Sequence, residues 1–500
     1  MRLVTLLSVL CLCCVTNGAR ILGIFLTPSY SHQIVFQPIW KELSLRGHQV
    51  TVYTPSPLND PSLTNLTEYD LGFSFPVFDR LVNVGADFSK LVEMYEEVTD
   101  IQLSHPIMQD LLKNADKDKY DLLLVEYLWP VYFAFKELYD VPMVGVSSFL
   151  LTSKSLDNLG MERHPVVEPD FLLGISTTKN FGQRLKSWLF RQYLLYVAPI
   201  RTARLANRQV QKYFNINKTI SQLSREVSIV LGNYNYAQQN VKPTTPKFIP
   251  LSAIHVHPPK PLPQNLRDFL DSQPNDAIYF SLGTNVNMSL ISHEQLNLTL
   301  NVLGSLPYTV LFKSDPAGVD DLPNNFYVQK WFPQQDVLAH PKIKLFITQG
   351  GIQSIDEAID RGVPMLIIPF LGDQMYNADR SSQLGISEKI IFGEFKENEL
   401  RHKINILLSD PLYRTNLKKL KDIVTDQPMR SVDTAMFWIE YVIRHKGASH
   451  LNYLATDLPF YQFYLLDVYV FMLLVCYLIF KIFKVVIRSF LSGKRKLKTS

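Results

Sequence analysis

A proline-rich run divides the chain into two parts of similar length. It covers residues 241–263, VKPTTPKFIPLSAIHVHPPKPLP, and this density of proline cannot sustain a helix or a central strand. The chain has 500 residues, of which 47% are hydrophobic, and that is too much apolar material for one ordinary core. The sequence therefore predicts two domains, over residues 20–245 and 246–430, with their boundary in this run.

Both parts alternate apolar strands with helices, which is the pattern of parallel α/β sheets. The first part opens with a strand at Ile21, a short polar turn, an amphipathic helix and a second strand, and further buried strands are predicted at 121–126 and 142–146. In the second part, strands are predicted at 278–282, 308–312, 326–329, 345–348 and 365–368, and helices at 292–306 and 352–361. The predicted fold is α/β, with two doubly wound, Rossmann-like domains.

A helical pattern without strands covers residues 150–214. Within it, the stretch 188–196 mixes aromatic residues with arginine. Such a stretch suits an acceptor-facing or membrane-facing surface, and an ordinary surface helix explains it equally well.

Apolar segments lie at both ends of the chain. Residues 1–19 combine a positive charge at Arg2, an apolar stretch and small residues, as in a signal peptide. Residues 465–487 predict one transmembrane helix, although the uninterrupted apolar run is short enough for a buried C-terminal helix. The basic tail, residues 488–500, favours the membrane span and places the tail in the cytosol and the body in the lumen, a type I topology. Residues 431–456 are expected to form a helix and a linker.

Further signals point to the endoplasmic reticulum membrane. The terminus KRKLKTS resembles a dilysine retrieval signal, and basic anchoring alone would also explain it. Sequons at Asn65, Asn217, Asn287 and Asn297 agree with a glycosylated lumenal body. Three of the four cysteines lie in the predicted signal peptide and Cys476 lies in the predicted span, so the body is expected to fold without a disulfide.

Charge and metal-ligand patterns argue against two classes of partner. The 50 lysine and arginine residues barely exceed the 46 acidic ones. The body therefore lacks the strong positive electrostatic potential that attracts a nucleic-acid backbone. No histidine or cysteine cluster has metal-binding spacing. Asp-Lys-Asp at 116–118 matches a metal-binding Asp-x-Asp motif formally, and its position in a charged turn before a strand indicates that it is solvated. We expect neither a nucleic-acid partner nor a bound metal, and a homo-oligomer stays open.

A strand, a glycine pair and a helix follow one another in TQGGIQSIDEAIDRGVP, residues 348–364. The free N–H groups and the dipole of a helix that follows a parallel strand attract phosphate, and Gly350 and Gly351 permit close approach of the backbone. Ser354 could bond a diphosphate and Glu357 a ribose hydroxyl. A tight structural turn is the other interpretation of the glycine pair.

From residue 331 the chain reads WFPQQDVLAHP, then LFITQGG, then PFLGDQ ending at Gln374. Together with SYSH near the start, SLGT at 281–284 and the segment after Asp426, this signature resembles the UDP-glycosyltransferase family, and most of all its insect members. The resemblance covers almost the whole chain. It implies the GT-B fold, two facing Rossmann-like domains with the sugar donor in the second, and a UDP-sugar as co-substrate, so that no cofactor is expected.

The resemblance also implies which residues bind the donor. An aromatic face suits a base, amide and hydroxyl donors suit phosphate, and a carboxylate beside an amide suits a sugar. The implied set is Trp331 and Gln334 for uracil, Glu357 for ribose, Thr284, Gln349, Gln353 and Ser354 for the diphosphate beside Gly350 and Gly351, and Asp373 and Gln374 for the sugar. Many relatives have histidine where Gln349 stands, and this exchange should weaken donor binding by only about 1 kcal/mol.

His32 is the candidate catalytic base. We expect it in the first turn of the first helix, where the helix dipole disfavours the imidazolium form. A lone histidine there is more often a cap or a surface residue, and the family resemblance supports the base. Glu126, at the end of a buried strand, is the candidate partner of the second ring nitrogen, with aspartate common there in relatives. Asp121, the competitor, should point to the opposite sheet face.

The implied reaction is an inverting, metal-independent transfer that gives a β-glycoside. Insect relatives generally use UDP-glucose, so glucose is the expected sugar, and the acceptor is expected to be small and lipophilic. Two rivals remain. One is a catalytically silent protein that binds UDP-sugar or a lipophile, suggested because Glu126 and Gln349 differ from the residues common in the family. The other is a lipid glycosyltransferase that acts on ceramide or a polyprenol.

Overall fold

The computed structural model describes residues 18–82, 88–115, 117–161, 164–284, 292–315 and 322–496. Residues up to Leu451 form one compact unit, and those from Asn452 onward form a second. Residues 1–17 of the predicted signal peptide, Asp116, the Asn287 sequon and residues 497–500 of the predicted tail lie outside the described residues.

The first half of the larger unit contains a seven-stranded parallel sheet. Its strands are β1 (Arg20–Ile24), β2 (Gln49–Thr54), β3 (Leu66–Asp70), β4 (Leu122–Glu126), β5 (Met143–Ser147), β6 (Ile229–Asn233) and β7 (Phe248–Leu251). They are ordered β3-β2-β1-β4-β5-β6-β7. The order runs outward in both directions from the neighbours β1 and β4, as in a doubly wound fold.

Helices cover this sheet. They are α1 (Tyr30–Leu45), α2 (Phe75–Val82), α3 (Phe88–Ser104), α4 (Pro106–Lys113), α5 (Phe135–Tyr139), α6 (Ser153–Asn158), α7 (Phe181–Gln192), α8 (Ala198–Phe214), α9 (Ile220–Arg225) and α10 (Tyr236–Gln239), with a π-helical turn (Tyr193–Val197) between α7 and α8. Because both faces are covered, β4 and β5 are buried along their whole length. Alternate residues of β4 enter two apolar clusters, Leu123 in one and Leu122 in the other.

The second half contains a six-stranded parallel sheet of order β10-β9-β8-β11-β12-β13. Its strands are β8 (Ala277–Ser281), β9 (Thr309–Lys313), β10 (Phe326–Gln329), β11 (Ile343–Thr348), β12 (Met365–Ile367) and β13 (Ser387–Lys389). The helices of this half are α11 (Gln264–Ser272), α12 (His293–Gly304), α13 (Gln334–Leu338), α14 (Ile352–Arg361), α15 (Gln374–Gln383), α16 (Glu397–Ser409) and α17 (Leu412–Thr425), followed by α18 (Ser431–Arg444). The predicted strands of this half lie within about two residues of those observed.

Two segments tie the halves together in ways that the sequence did not predict. Within the proline-rich run, β7 is the edge strand of the first sheet, which therefore extends beyond the predicted boundary at residue 245. Pro250 is tolerated there because an edge strand is paired on one side only. After the second half, α18 returns to the first half, where Met436 and Ile439 are buried in the apolar cluster around α1.

Direct hydrogen bonds also join the first sheet to α14. Gln353 Nε2 donates to the carbonyl oxygen of Ser148, at 2.8 Å, and Asn233 Nδ2 donates to Asp356 Oδ2, at 3.1 Å. All four residues are buried. Ser148 follows β5 and Asn233 ends β6, so the carboxyl edge of the first sheet contacts α14 directly.

The second unit contains α19 (Phe460–Phe463) and α20 (Leu466–Lys496). Within α20, the segment Leu466–Ser489 has a mean hydropathy of 2.5 over its most apolar window, none of which is buried. This helix has the length and composition to cross a membrane, as a C-terminal anchor would.

We expect Asp356→Asn to raise the thermal midpoint by about 2–4 °C near pH 8 and to change it little near pH 4. Burial raises the pKa of Asp356 from 3.8 to about 7. A raised folded-state pKa contributes stability below the unfolded-state value that is lost as the pH rises through about 7. Removing the carboxyl therefore helps only at high pH, and the new amide oxygen can still accept from Asn233.

Scanning calorimetry of the detergent-solubilised chain at both pH values measures this difference. The control is Asp422→Asn, because 63% of the Asp422 side chain is exposed and no pH-dependent gain is expected there. An Asp356→Asn protein that gains equally at both pH values, or that loses stability near pH 8, would show that Asp356 is not a buried carboxylate under strain.

Candidate active site

Loops that follow strands of both sheets line a cavity of 360 Å³ between the two halves. The first half contributes Tyr30, Ser31, His32, Ile34 and Phe149, and the second half contributes Gly283, Thr284, Lys313, Trp331, Gln334, Gln349, Gly351, Gln353, Ser354, Glu357, Asp373 and Gln374, among others. The structure thus brings His32 together with the implied donor-site residues. Gly350 and Glu126 do not line the cavity and lie behind residues that do.

His32 occupies the first turn of α1, where its backbone N–H donates to the carbonyl oxygen of Ser29 at 3.0 Å. Its Nδ1 lies 2.7 Å from Glu126 Oε1. The His32 side chain is 16% exposed and that of Glu126 4% exposed, so the carboxylate is behind the ring and the ring faces the cavity. Because a carboxylate accepts, the contact assigns the hydrogen to Nδ1 and leaves the lone pair on Nε2.

The position of each acidic residue on β4 explains which one meets His32. Glu126 is the last residue of the strand, at the carboxyl edge where α1 begins after β1. Asp121 precedes the strand at its other end, where its Oδ2 accepts from the backbone N–H of Arg20 at 2.8 Å. Asp121 therefore closes the start of the sheet and lies away from the cavity.

Asp373 and an aromatic ring also lie near His32. The Phe149 ring centroid is 5.2 Å from that of His32. Burial raises the pKa of Asp373, and the charge of His32 acts in the opposite direction. Asn377 Nδ2 donates to Asp373 Oδ2 at 2.8 Å, which fixes the carboxylate. The base candidate and the carboxylate implied for the sugar thus share one side of the cavity.

Glycines shape the turn between β11 and α14. Gly350 has φ +86°, and a Cβ atom there would lie 2.5 Å from Ile367 Cγ2. Gly283, in the turn after β8, has φ +76°, and a Cβ atom there would lie 2.1 Å from Gln349 Nε2. Both positions therefore require glycine. Gln349 is 7% exposed, and its Oε1 has no hydrogen-bond partner within the described part of the chain.

A hydrogen-bonded group surrounds Glu357 on α14. Gln334 Nε2 donates to Glu357 Oε2 at 2.7 Å and to Ser354 Oγ at 2.9 Å. Burial raises the pKa of Glu357 to about 7, and the bond from Gln334 opposes that rise. Three residues assigned to the nucleoside and diphosphate by resemblance are therefore already connected to one another.

His255, in the proline-rich run, supports the same group and was not identified from the sequence as part of a site. Its Nε2 lies 3.2 Å from the carbonyl oxygen of Gln353 and 3.7 Å from Glu357 Oε1. Burial lowers the pKa of His255 to about 4, so the ring is neutral and donates from Nε2. Its isolation in the sequence concealed this contact.

Two of the implied donor residues have other hydrogen bonds. One amide hydrogen of Gln353 is directed at Ser148 of the first half, away from a diphosphate. Gln374 Oε1 accepts from the backbone N–H groups of Phe370 and Leu371, at 2.8 and 2.9 Å. The amide oxygen of Gln374 is thereby fixed, and its NH₂ group is the end that can donate to a ligand.

Lys313 is a further cavity residue that the sequence reasoning missed. Among the described residues that line the cavity, it is the sole lysine or arginine. Its Nζ lies 4.4 Å from the centroid of the Trp331 ring and donates to the carbonyl oxygen of Gly283 at 3.0 Å. Burial lowers the pKa of Lys313 to about 8. Its place as the last residue of β9 was the available signal, since ligand sites lie at the carboxyl ends of parallel strands.

Trp331 is half exposed, at 49%. The ring of Tyr30, from the first half, meets it edge-on at a centroid distance of 4.9 Å. An exposed indole face with a cation above it is a surface on which a planar base can stack.

Sequence comparisons match this chain over most of its length. The family model described as UDP-glucoronosyl and UDP-glucosyl transferase matches residues 22–497. UDP-glycosyltransferase UGT5 of Dactylopius coccus is 31% identical, over 91% of this chain and 89% of that protein. UDP-glucuronosyltransferase 2B7 of Homo sapiens is 30% identical, over 94% of this chain and 93% of that protein.

Structural comparisons show the same fold at lower identity. The glycotransferase of kitacinnamycin matches with a TM-score of 0.60 and 18% identity, covering 85% of this chain and 99% of its own. The glycosyltransferase VinC, solved in complex with dTDP, matches with a TM-score of 0.57 and 17% identity, covering 86% and 100%. The predicted family, fold class and enzyme class are confirmed. The chain belongs to the UDP-glycosyltransferase family and is a glycosyltransferase with the GT-B fold.

Proposed function

We propose that this enzyme transfers glucose from UDP-glucose to a hydroxyl group of a small lipophilic acceptor, with inversion and without a metal ion. The observation that carries the proposal is the 2.7 Å contact between His32 Nδ1 and Glu126 Oε1. The opposite wall of the same cavity is formed by a strand, a glycine turn and a helix in the arrangement that binds nucleotides in α/β proteins. A base and a leaving-group site thus face one cavity.

His32 Nε2 takes the proton of the acceptor hydroxyl. The acceptor oxygen then bonds to the anomeric carbon of glucose from the face opposite UDP, while the bond between that carbon and the diphosphate oxygen breaks and its electron pair leaves with UDP. The product is a β-glycoside. Glu126 stabilises the imidazolium that forms and holds the ring in the required tautomer.

Lys313 and the start of α14 stabilise the charge that develops on the leaving diphosphate. An ammonium group and the N-terminal end of a helix are both suited to an anion. Glu357, held by Gln334, accepts from ribose, Trp331 stacks on uracil, and Asp373 with Gln374 binds the sugar hydroxyls. Because Lys313 supplies a positive charge in this donor set, a divalent cation is not needed for neutralisation.

The choice of glucose rests on relatives. UDP-glucosyltransferase 2 of Dactylopius coccus is 30% identical over 97% of this chain, and the ecdysteroid UDP-glucosyltransferase of Mamestra brassicae nuclear polyhedrosis virus is 30% identical over 86% of it. Glucuronosyltransferases match at similar identity, so both donors belong in any assay. For the acceptor, Phe149 beside His32 supplies an apolar wall.

We place the enzyme in the endoplasmic reticulum membrane with a lumenal body. The apolar helix α20 and its basic end support an anchor of type I topology. The exposed sequons Asn217 and Asn297 are compatible with glycosylation of that body.

We expect His32→Ala to lower turnover by about a hundred- to ten-thousandfold, because general-base catalysis typically contributes that much. UDP affinity should change little, since the ring contacts the acceptor. The measurement is UDP release by microsomes given UDP-glucose or UDP-glucuronate with phenols, flavonoids and steroids. His402→Ala, at an exposed histidine, is the control, and near-normal turnover without His32 would remove it from the mechanism. UDP binding without release by the wild-type protein would favour a silent binder.

Glu126→Gln should lower kcat by about ten- to a hundredfold at unchanged KM for UDP-glucose, because an amide can no longer stabilise the imidazolium. Glu126→Asp tests the length of the side chain, since one methylene fewer lengthens the 2.7 Å contact and should cause a smaller loss. Steady-state kinetics with a fixed acceptor distinguishes the two. Equal kcat in the glutamine variant and the wild-type enzyme would contradict the role of Glu126.

Lys313→Met should weaken UDP binding about tenfold or more, since hydrogen bonds to charged groups contribute about 1.5–3 kcal/mol. Lys313→Arg should recover part of the lost affinity, because it keeps the positive charge.

The affinity should also depend on pH. Because burial lowers the pKa of Lys313 to about 8, wild-type affinity for UDP should fall as the pH rises through that value, whereas the methionine variant should show no such fall. Calorimetric titration with UDP measures both, and a methionine variant with wild-type affinity would exclude Lys313 from the donor site.

A further inference from the structure

An exposed apolar stripe runs along the continuous helix formed by α7, the π-helical turn and α8. Its members are large side chains that are 44–71% exposed. They are Phe181, Leu185, Trp188, Leu189, Val197 and Ile200. Soluble proteins rarely expose so many large apolar side chains together without a partner.

The π-helical turn keeps this stripe on one side of the helix. In an uninterrupted α-helix, Ile200 would be rotated about 100° away from Phe181, because each residue turns by about 100°. A π turn takes up one additional residue and cancels about that rotation. Pro199 accounts for the turn, since its ring clashes with the carbonyl group of the residue four places earlier, Leu195, in a regular α-helix.

Positive charge surrounds the stripe. Between Phe171 and Arg225 the chain has ten lysine and arginine residues and no aspartate or glutamate. Some of these, such as Arg208 and Lys212, pair with carboxylates of α3.

Other basic residues on the same helix have no such partner. Arg184, Lys186, Arg191 and Arg204 have no carboxylate within ion-pair distance among the residues that the structure describes. Arg184, Lys186 and Arg204 are exposed, so their aliphatic stems can lie along apolar surface while their charged ends reach outward.

We propose that this stripe and its unpaired basic residues form a surface that lies on an anionic lipid bilayer. Helices that bind in a bilayer interface combine exposed aromatic and aliphatic side chains with lysine and arginine, and each basic residue near an anionic surface adds about 1 kcal/mol of attraction. The unpaired positive charge distinguishes lipid from an apolar protein partner or a second copy of the chain, which would carry the same positive charge.

The surface is connected to the acceptor side of the cavity. Ser187, on the buried face of α7, donates to the carbonyl oxygen of Pro165, in the loop that continues to Phe171. The Phe171 ring is 5.9 Å from that of Phe149, which is 5.2 Å from that of His32. A bilayer against this surface would lie on the helix whose buried face packs on the loop that leads to the acceptor side of the cavity.

Site-specific fluorescence of the full chain in lipid nanodiscs tests the proposal. Cys476 is the sole free cysteine among the described residues, so Cys476→Ser provides a background in which Leu189→Cys can carry an environment-sensitive nitrobenzoxadiazole dye. The matched control is Leu412→Cys on α17, because Leu189 is 52% exposed and Leu412 57% exposed. Discs that hold one copy are prepared with phosphatidylcholine alone or with phosphatidylserine added, and quenching by doxyl-labelled lipid is measured.

We expect at least twofold quenching of the dye at residue 189 in discs with phosphatidylserine, less quenching without it or at high salt, and none at residue 412. Reversing charge with Arg184→Glu and Lys186→Glu together should reduce the quenching, while unchanged UDP binding by the same variant shows that the body is folded. A dye at residue 189 that behaves as the control does would overturn the proposal. Dye shielding that appears only in discs with two copies would assign the surface to a second copy instead.

Discussion

Both sheets are entirely parallel, and this constraint determines where chemistry can occur in the molecule. Every strand of a parallel sheet ends at the same edge, so the polar loops that follow the strands collect there. Glu126 ends β4, Lys313 ends β9 and Thr348 ends β11. Glu126 is the partner of His32, and Lys313 lines the cavity. The buried apolar strands thus fix the positions of the charged groups without contacting any ligand.

The interface between the halves contains acidic groups whose burial must be compensated. Glu126 is held by His32, Glu357 by Gln334, and Asp356 by Asn233. Each of these bonds satisfies part of a carboxylate that water would otherwise solvate. Burial nevertheless raises the pKa of both Asp356 and Glu357 to about 7. The same α14 carries Ser354 and Glu357 toward the cavity and Gln353 and Asp356 toward the first sheet. The cavity wall and the contact between the halves therefore depend on one helix.

Local patterns in the sequence were sufficient for much of the fold and of the site. The strand and helix of 345–361 were predictable because apolar periodicity, a glycine pair and an amphipathic stretch all indicated the same structure. The meeting of His32 and Glu126 was predictable from the rule that parallel strands end at one edge. In each case the deciding information lay within one strand and the turn after it.

Features that depend on contacts distant in sequence were not predictable. An edge strand in a proline-rich run needs a neighbour to pair with, and β7 pairs with β6 through residues such as Gly232 and Pro250. Gln353 turns toward Ser148, a partner from the other half, whereas its position in the motif suggested phosphate. His255 looked isolated in the sequence, because only the folded chain places it beside Glu357.

The stretch 188–196, for which the sequence left two interpretations equally open, exposes apolar side chains in the structure. A plain surface helix would expose polar side chains, whereas Trp188 and Leu189 are about half exposed here, at 49% and 52%. The helical pattern alone could not show this, because a π turn realigns residues whose spacing in an ideal helix would place them on different sides. The buried side of α7 packs on the loop that leads to Phe171, whose ring contacts that of Phe149, and its other side is exposed. Under the proposed function, this arrangement would let a lipophilic acceptor arrive from the bilayer and a polar donor from water.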